Sequence, residues 1–194
     1  LNPSTIAVNS IQQWKSAKNN SNVFTDFRLV GVEKFSDFVE GAEAQADARD
    51  LADNSDVQER RDAKEADIVL MLVNSDQGQY AELAGVVAEI GPIDETSYGL
   101  VQIGNATSTI CFAHEAGHLL GGSHQLGADN ESGDMHGHGW KKGFLFFTNR
   151  YGSVMNTRFT LALKPVERTF HFSNPSVENR NKPTGVNGES NNAR

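Results

Sequence analysis

The chain contains 194 residues, of which 38% are hydrophobic and 22% charged, and its formal net charge is −8. This composition excludes wholesale disorder and fits a globular domain large enough to bury a core without cross-links. The acidic balance argues against a nucleic-acid partner, because phosphate binding needs clustered Lys and Arg.

Cysteine content and hydropathy limit where the protein can act. Cys111 is the only cysteine, so no intrachain disulfide can form. No segment approaches the roughly 18–20 apolar residues of a membrane span, so we expect none. Because Leu1 opens directly into polar sequence, we expect no signal peptide in this sequence. If the protein is exported, the absence of disulfides favours a processed bacterial exoprotein.

The first third of the chain predicts helices around one strand. Residues 1–20 carry apolar side chains at helical spacing. Residues 26–35 alternate apolar and polar side chains imperfectly, which predicts a strand. Residues 37–66 are rich in Ala, Asp, Glu and Arg, which favours exposed helices.

Three short apolar segments then predict a sheet. Residues 68–73 form a continuous apolar run that is typical of a buried parallel strand. Residues 83–90 and 98–103 are two further strand candidates. The alternation of strands and helices indicates an α/β fold.

Residues 107–120 predict a helix that ends at the glycine pair after Leu120. Asn105, Thr107 and Ser108 are the candidate N-caps, because their side chains can accept a backbone N–H. Beyond this helix the regular pattern fades. We therefore expect one domain over residues 1–194, with a sheet-and-helix lobe at 1–121 and a smaller loop-rich lobe at 122–194.

The predicted helix carries a histidine pattern suited to a metal. His114 and His118 are four residues apart, so both imidazoles project from one helix face and can bind one ion. Gly121 can adopt a positive φ, and the resulting turn brings His124 back as a third ligand. Three protein ligands leave one tetrahedral position open for water, as in catalytic rather than structural zinc sites.

Glu115 follows the first histidine and is the candidate catalytic residue. Zinc lowers the pKa of its water towards about 7. The Glu115 carboxylate can then accept a proton as that water attacks a peptide carbonyl, and later deliver it to the leaving amine.

The segment HEAGHLLGGSH at 114–124, followed by YGSVMN at 151–156, resembles the metzincin zinc endopeptidases, whose signature is HExxHxxGxxH with a later Met-turn. The chain is most similar to their reprolysin-like (adamalysin-like) branch in its bacterial form. The resemblance implies a secreted metallopeptidase domain with a twisted, mostly parallel sheet. It also implies that Met155 forms an apolar floor beneath the zinc and is not a ligand.

The resemblance also implies where a peptide substrate binds. An antiparallel edge strand would line the cleft, and we place it near residues 83–90, with Gly85, Val86 and Val87 as candidate substrate-binding residues. An extended peptide would add to this edge through main-chain hydrogen bonds. The active-site helix and residues 156–163 would build the side-chain pocket beside the scissile bond. We expect proteins or peptides as substrates. We also expect the enzyme to be a monomer.

Two features bear on the finer assignment. Gln125 follows the third histidine, where reprolysins usually have Asp. Asp129, Glu131 and Asp134 form an acidic loop whose oxygens could hold Ca²⁺, although a solvated loop is the stronger explanation.

Three functions remain open at this point. The chain is an active endopeptidase, a binding or toxin-like module that keeps the metal site without proteolysis, or a zinc hydrolase acting on a non-protein amide. Glu115 favours the first, because an abandoned site has no need for a base beside the metal.

Overall fold

In a computed structural model, the described part of the chain comprises residues 2–41, 43–74, 84–91, 96–108, 110–125, 137–142, 149–157 and 166–192. The architecture is mixed α/β, with helices and small sheets. Two compact units are present. The first consists of residues 1–12 and 27–121, and the second of residues 13–26 and 122–194.

The helices of the described residues are α1 (Pro3–Ser21), α2 (Ala44–Asp53), α3 (Ser55–Ala63) and α4 (Cys111–Leu119). Asn side chains stabilise two of their starts. Asn2 Oδ1 accepts the N–H of Ser4 at 2.9 Å, and Asn54 Oδ1 accepts the N–H of Val57 at 3.2 Å. Each bond satisfies a backbone donor that has no partner within its helix. The helices predicted over residues 1–20 and 107–120 are confirmed, and residues 37–66 contain α2 and α3. The expectation that the helices of 37–66 are exposed is wrong for α2, which has a buried face.

The first unit contains a three-stranded sheet of β1 (Val69–Val73), β2 (Gly85–Val87) and β3 (Tyr98–Gln102). The strand order is β1-β3-β2, with β1 parallel and β2 antiparallel to β3. All three strands lie within predicted segments, and β1 is parallel as expected. The described strands pair once in each direction, so a mostly parallel sheet stays a prediction.

The main core of the first unit lies between α2 and this sheet. Ala44, Ala48 and Leu51 are fully buried at a spacing that places them on one face of α2. They pack in one cluster with Tyr98 and Leu100 of β3. This packing fixes β3, and through it the edge strand β2.

The second unit contains a sheet of β4 (Gly139–Lys142), β5 (Asn149–Gly152) and β6 (Val166–Arg168), in that order. β4 is antiparallel and β6 parallel to β5. A two-stranded hairpin of β7 (Glu178–Asn179) and β8 (Lys182–Pro183) follows. This unit therefore has more regular structure than a loop-rich segment suggests.

The C-terminal part of α1 anchors the second unit. Trp14 is buried and contacts Phe172 edge to face, with ring centroids 4.9 Å apart. Ser21 Oγ accepts the N–H of Phe172 at 2.7 Å, and Asn174 Nδ2 donates to the Ser21 carbonyl at 2.7 Å. Apolar contact and hydrogen bonds together tie the segment after β6 to this helix.

Two predictions about local structure are wrong. Residues 26–35 form no strand, and Leu29, Val30 and Val32 are exposed, so their apolar side chains reflect no buried face. The start of α4 has no side-chain cap either. Its N-cap residue is Ile110, in the left-handed conformation with φ 60°.

No helix among the described residues is both long enough and apolar enough to cross a bilayer.

Candidate metal centre

The metal centre starts from α4, a short helix with sharply defined ends. The N–H of His114 bonds to the Ile110 carbonyl at 3.1 Å, within the first turn. At the other end, the Gly121 N–H bonds to the His118 carbonyl at 2.8 Å, and Gly121 has φ +87°. Only glycine adopts this φ without steric cost, so the predicted helix stop is confirmed.

His114 and His118 face each other on α4. Their exposed fractions are 5% and 4%, and their rings meet at 86° with centroids 4.6 Å apart. The two Nε2 atoms lie 3.1 Å apart. The i, i+4 spacing therefore produces the convergence expected from the sequence.

His124 completes the cluster. One ring nitrogen of each of His114, His118 and His124 lies within 4.8 Å of the others. Among the described residues, this is the group of side chains suited to a metal ion. His124 is less buried than the other two, which suits the side of a site that faces solvent.

This donor set fits zinc. Two nitrogens bound to one tetrahedral zinc at about 2.0–2.1 Å lie about 3.4 Å apart, close to the 3.1 Å between the Nε2 atoms of His114 and His118. Both of those lone pairs would face the ion, which leaves the ring protons on the Nδ1 atoms. A set of three imidazoles without thiolates is the composition of a catalytic rather than a structural zinc site.

Glu115 lies in a confined position beside the histidines, with an exposed fraction of 4%. One turn earlier, Cys111 Sγ donates to Glu115 Oε1 at 3.7 Å. From the edge strand, Gly85 approaches the same side chain so closely that a Cβ built on it would lie 2.9 Å from Oε1. Sequence reasoning did not predict this contact between Cys111 and Glu115. Its i, i+4 spacing from Glu115 is the signal that identifies the contact.

The loop that carries His124 is held by three neighbouring segments, which we name the support cluster: residues 123–125, Gly137 and residues 155–157. The Gly137 N–H bonds to the carbonyls of Ser123 at 3.0 Å and His124 at 3.3 Å. A Cβ on Gly137 would lie 2.6 Å from the Met155 carbonyl carbon, so only glycine fits between these backbones.

Gln125 makes the other link of the support cluster. Its Oε1 accepts the Thr157 N–H at 2.7 Å and the Thr157 hydroxyl at 3.3 Å. Gln125 is almost fully buried, so both bonds are shielded from water. The residue after the third histidine thus fixes the segment that follows Met155.

Met155 itself is fully buried. The two residues before Met155 donate backbone hydrogen bonds to two different segments. The Ser153 N–H donates to the His138 carbonyl at 2.8 Å, and the Val154 N–H donates to the His171 carbonyl at 2.7 Å. The role of Met155 as a floor beneath the metal stays a prediction.

The candidate substrate edge has a defined hydrogen-bonding pattern. The Ala88 N–H bonds to the Tyr98 carbonyl, and the Ala84 carbonyl accepts from Gln102, so the even-numbered residues of β2 face β3. In an antiparallel ladder the main-chain groups alternate in direction. The polar groups of Gly85 and Val87 therefore face away from β3, and the Val87 carbonyl accepts from Gln45 Nε2 at 2.9 Å.

Two other histidines lie in the second unit. Burial lowers the pKa of His138, an effect opposed by the nearby charge of Glu189. His138 Nδ1 lies 3.2 Å from Ser190 Oγ. Burial also lowers the pKa of His171. Both side chains are half-buried in their own unit.

Several predicted features lie wholly or partly outside the described residues. The proposed calcium loop of Asp129, Glu131 and Asp134 is among them, and of the pocket segment predicted at 156–163 only Asn156 and Thr157 are described.

Comparison with known proteins agrees with the geometry. Residues 5–125 match the profile of Metallo-peptidase family M12B Reprolysin-like. Over 186 residues the chain is 26% identical to a Peptidyl-Asp metalloendopeptidase of Stenotrophomonas maltophilia strain R551-3, covering 90% of this chain and 41% of that protein. A protein of the same name from strain K279a is 26% identical over 172 residues, covering 86% and 39%.

The chain therefore spans about two fifths of the length of these curated relatives. Among solved structures, one described as a chaperone-substrate complex matches with a TM-score of 0.68 at 19% identity. The match covers 96% of this chain and 28% of that one, and it bears on the fold alone.

Proposed function

This chain belongs to the reprolysin-like metallopeptidases of family M12B, and from that premise we propose that it is a zinc-dependent endopeptidase with Glu115 as general base. The observation that carries the proposal is the convergence of ring nitrogens from His114, His118 and His124 to within 4.8 Å of one another. The match to the family profile includes all three residues' positions, from residue 5 to residue 125.

The three histidines would hold the zinc ion. When bound, zinc supplies Lewis-acid polarisation of the peptide carbonyl and lowers the pKa of a coordinated water. Glu115 would accept a proton from the water molecule that attacks the carbonyl carbon. The same carboxyl group then delivers that proton to the amine nitrogen as the C–N bond breaks. The burial of Glu115 strengthens its interaction with the reacting atoms by excluding water.

The edge strand β2 would orient the peptide. The outward main-chain groups of Gly85 and Val87 give an extended substrate the hydrogen-bonding partners of an added strand. Gln45 already donates to the Val87 carbonyl. A peptide N–H that pairs with this carbonyl would therefore share it with Gln45 or displace the Gln45 amide.

We further propose that aspartate beside the scissile bond is preferred. Both curated relatives are named as peptidyl-Asp metalloendopeptidases. This chain has a cation close to the predicted pocket: Arg168 Nε donates to the Asn156 carbonyl at 3.0 Å, one residue after Met155. A guanidinium recognises a carboxylate through charge-assisted hydrogen bonds that the amide of Asn cannot replace.

A matched pair of peptides tests this preference. Two peptides that differ only by Asp or Asn at the cleaved position should differ in kcat/KM by about 10-fold or more, since hydrogen bonds to charged groups contribute about 1.5–3 kcal/mol. Arg168→Met should collapse this ratio, whereas exchange of the exposed Arg49 for Met should not. An unchanged ratio in Arg168→Met would exclude Arg168 as the recognising cation.

Secretion by a bacterium belongs to the same proposal. The single cysteine and the bacterial origin of both relatives support it. Detecting the protein in the culture medium rather than in the cell pellet of its native host is the direct measurement.

The proposed reaction is tested by metal removal and by one substitution. A chelator should abolish cleavage of casein, and added Zn²⁺ should restore it. Glu115→Gln should keep one zinc per chain and lower kcat by about 10²–10⁴-fold, the usual contribution of a general base. Glu59→Gln, at an exposed position of α3, is the matched control and should cleave at the wild-type rate.

The other functions are distinguished by the same preparation. Protein that binds one zinc but cleaves no peptide in a library would favour a binding module. Hydrolysis restricted to non-protein amides would favour a different zinc hydrolase. Glu115→Gln cleaving at the wild-type rate would remove Glu115 from the mechanism.

A further inference from the structure

Gly85 and Glu115 approach each other more closely than any other residue type at position 85 would permit. A Cβ built on Gly85 would lie 2.7 Å from Glu115 Cγ and 2.9 Å from Cδ and Oε1. These distances are shorter than van der Waals contact between carbon and oxygen or carbon and carbon. The backbone of β2 therefore lies directly against the Glu115 carboxylate.

Cys111 contacts the same carboxylate from within the helix. Its Sγ lies 3.7 Å from Glu115 Oε1, a distance at which a thiol donates a hydrogen bond. The exposed fractions are 1% for Cys111 and 4% for Glu115, so this contact is shielded from water. Cys111 is itself fixed by apolar packing against Ile6, Val101 and Ala106.

Taken with the proposed function, on which this inference rests, these contacts give Glu115 two neighbours with distinct effects. Gly85 restricts where the side chain can lie, and the Cys111 thiol provides a directed bond to one oxygen. We propose that Gly85 and Cys111 are positioning residues that together hold the Glu115 carboxylate in the orientation needed for proton transfer. Neither residue touches the reacting atoms.

The effect of enlarging position 85 follows from which atoms would collide. All three close contacts are with the side chain of Glu115, and none is with backbone. The flexible carboxylate can rotate away at lower cost than a backbone can shift. Gly85→Ala should therefore fold and retain zinc, but with the carboxylate displaced.

Kinetics provide the first test. A displacement of about 1 Å in a catalytic group costs roughly 100-fold in rate, so we expect Gly85→Ala to lose kcat on that scale with KM changed far less. Gly104→Ala is the matched control, since a Cβ at Gly104 would meet nothing within 4 Å. It should retain wild-type kcat. Zinc stoichiometry is measured for both variants and should stay at wild type.

Substitutions of Cys111 test the thiol contact. Cys111→Ala removes the donor and should lower kcat several-fold with little change in KM. Cys111→Ser restores a donor of similar size and should recover most of that loss. Equal kcat losses in the two variants would show that Cys111 acts by packing alone, which would overturn its part in the proposal.

A stability cycle on metal-free protein gives a readout independent of activity. In the wild-type background, Gly85→Ala should lower Tm, because the added methyl group displaces a buried side chain. In the Glu115→Ala background the colliding Cγ, Cδ and Oε1 atoms are gone. There Gly85→Ala should lower Tm less or not at all, and this non-additivity measures the contact directly.

The outcomes separate this inference from the proposed function. Active wild type, inactive Glu115→Gln and a Gly85→Ala variant as active as Gly104→Ala would overturn the inference alone. The same Tm loss from Gly85→Ala in both backgrounds would also overturn it. Inactive wild type, or fully active Glu115→Gln, would defeat the proposed function and with it the positioning role.

Discussion

Helix α4 and the support cluster position the candidate metal ligands in two different ways. On α4, His114, Glu115 and His118 have positions set by the helix itself, since residues four apart share a face. In the support cluster, His124 is placed by contacts between residues far apart in sequence. Gly137 donates its N–H to the carbonyls of Ser123 and His124, and its Cα packs against the Met155 backbone.

Because of this difference, α4 and the support cluster depend on different properties of their residues. On α4 the proposed function depends on side chains, and local hydrogen bonds determine the backbone that carries them. In the support cluster the position of His124 depends on close packing between backbone segments. Gly137 has no reactive side chain, but we expect it to be as necessary as a ligand because no larger residue fits there. Substitutions should therefore act directly on metal binding and chemistry in the first region, and through stability in the second.

The largest effect is expected from removing a ligand on α4. His118→Ala leaves two imidazoles, and loss of a ligand should exceed the roughly 10–100-fold that loss of an outer hydrogen-bond partner costs in metal affinity. Zinc content after dialysis and kcat/KM are the measurements. Replacing the half-buried His171 by Ala removes a histidine outside the cluster and should leave zinc content unchanged.

Gly137→Ala should come next and should act through the backbone. Its Cβ would lie 2.6 Å from the Met155 carbonyl carbon and 2.7 Å from its oxygen, so a chain segment must move. We expect a loss of about 3 kcal/mol in the free energy of unfolding, at the upper end for overpacking. Denaturant unfolding measures it, with Gly104→Ala as control. A stable Gly137→Ala with wild-type zinc affinity would contradict the support role.

Gln125→Ala should have a smaller effect in the same region. It removes the acceptor for the Thr157 N–H and hydroxyl, and an unsatisfied buried donor costs about 1–3 kcal/mol. Thr157→Ala removes only the longer of the two bonds and is the matched comparison. If the two variants were equally stable, the main-chain bond at 2.7 Å would contribute nothing measurable.

The same contrast explains what the sequence predicted. The zinc motif on α4, the stop at Gly121 and the strands at Val69–Val73, Gly85–Val87 and Tyr98–Gln102 follow from local periodicity and turn chemistry. The histidine cluster was predictable because its spacing is part of one helix and one turn.

Other features were not predictable, because distant residues determine them. Nothing near Gln125 indicates that it would bond to Thr157, and no local pattern places Gly137 against Met155. The strand predicted at 26–35 is wrong for a related reason. A strand requires a partner to bond to, and an imperfect apolar alternation does not specify one.

The smallest predicted effect is a dependence of stability on pH that arises in the second unit. Burial lowers the pKa of both His138 and His171 below the ordinary value. A lowered pKa in the folded state means that the unfolded chain binds more protons as the pH falls. Stability should therefore be fully present above about pH 6.5 and should decline as the pH falls below it.

Both histidines flank the segment that contains Met155, through the bonds of their carbonyls to the N–H groups of Ser153 and Val154. Acidification should thus weaken the surroundings of the support cluster. The measurement is Tm of metal-free protein between about pH 8 and pH 5.5, compared with a variant carrying Gln at both histidine positions. Because both side chains are only half-buried, the difference in slope should be small. If Tm changed with pH by the same slope in the wild type and in the variant, other groups would be responsible for the acid sensitivity. The support cluster would then differ from α4 in backbone packing alone.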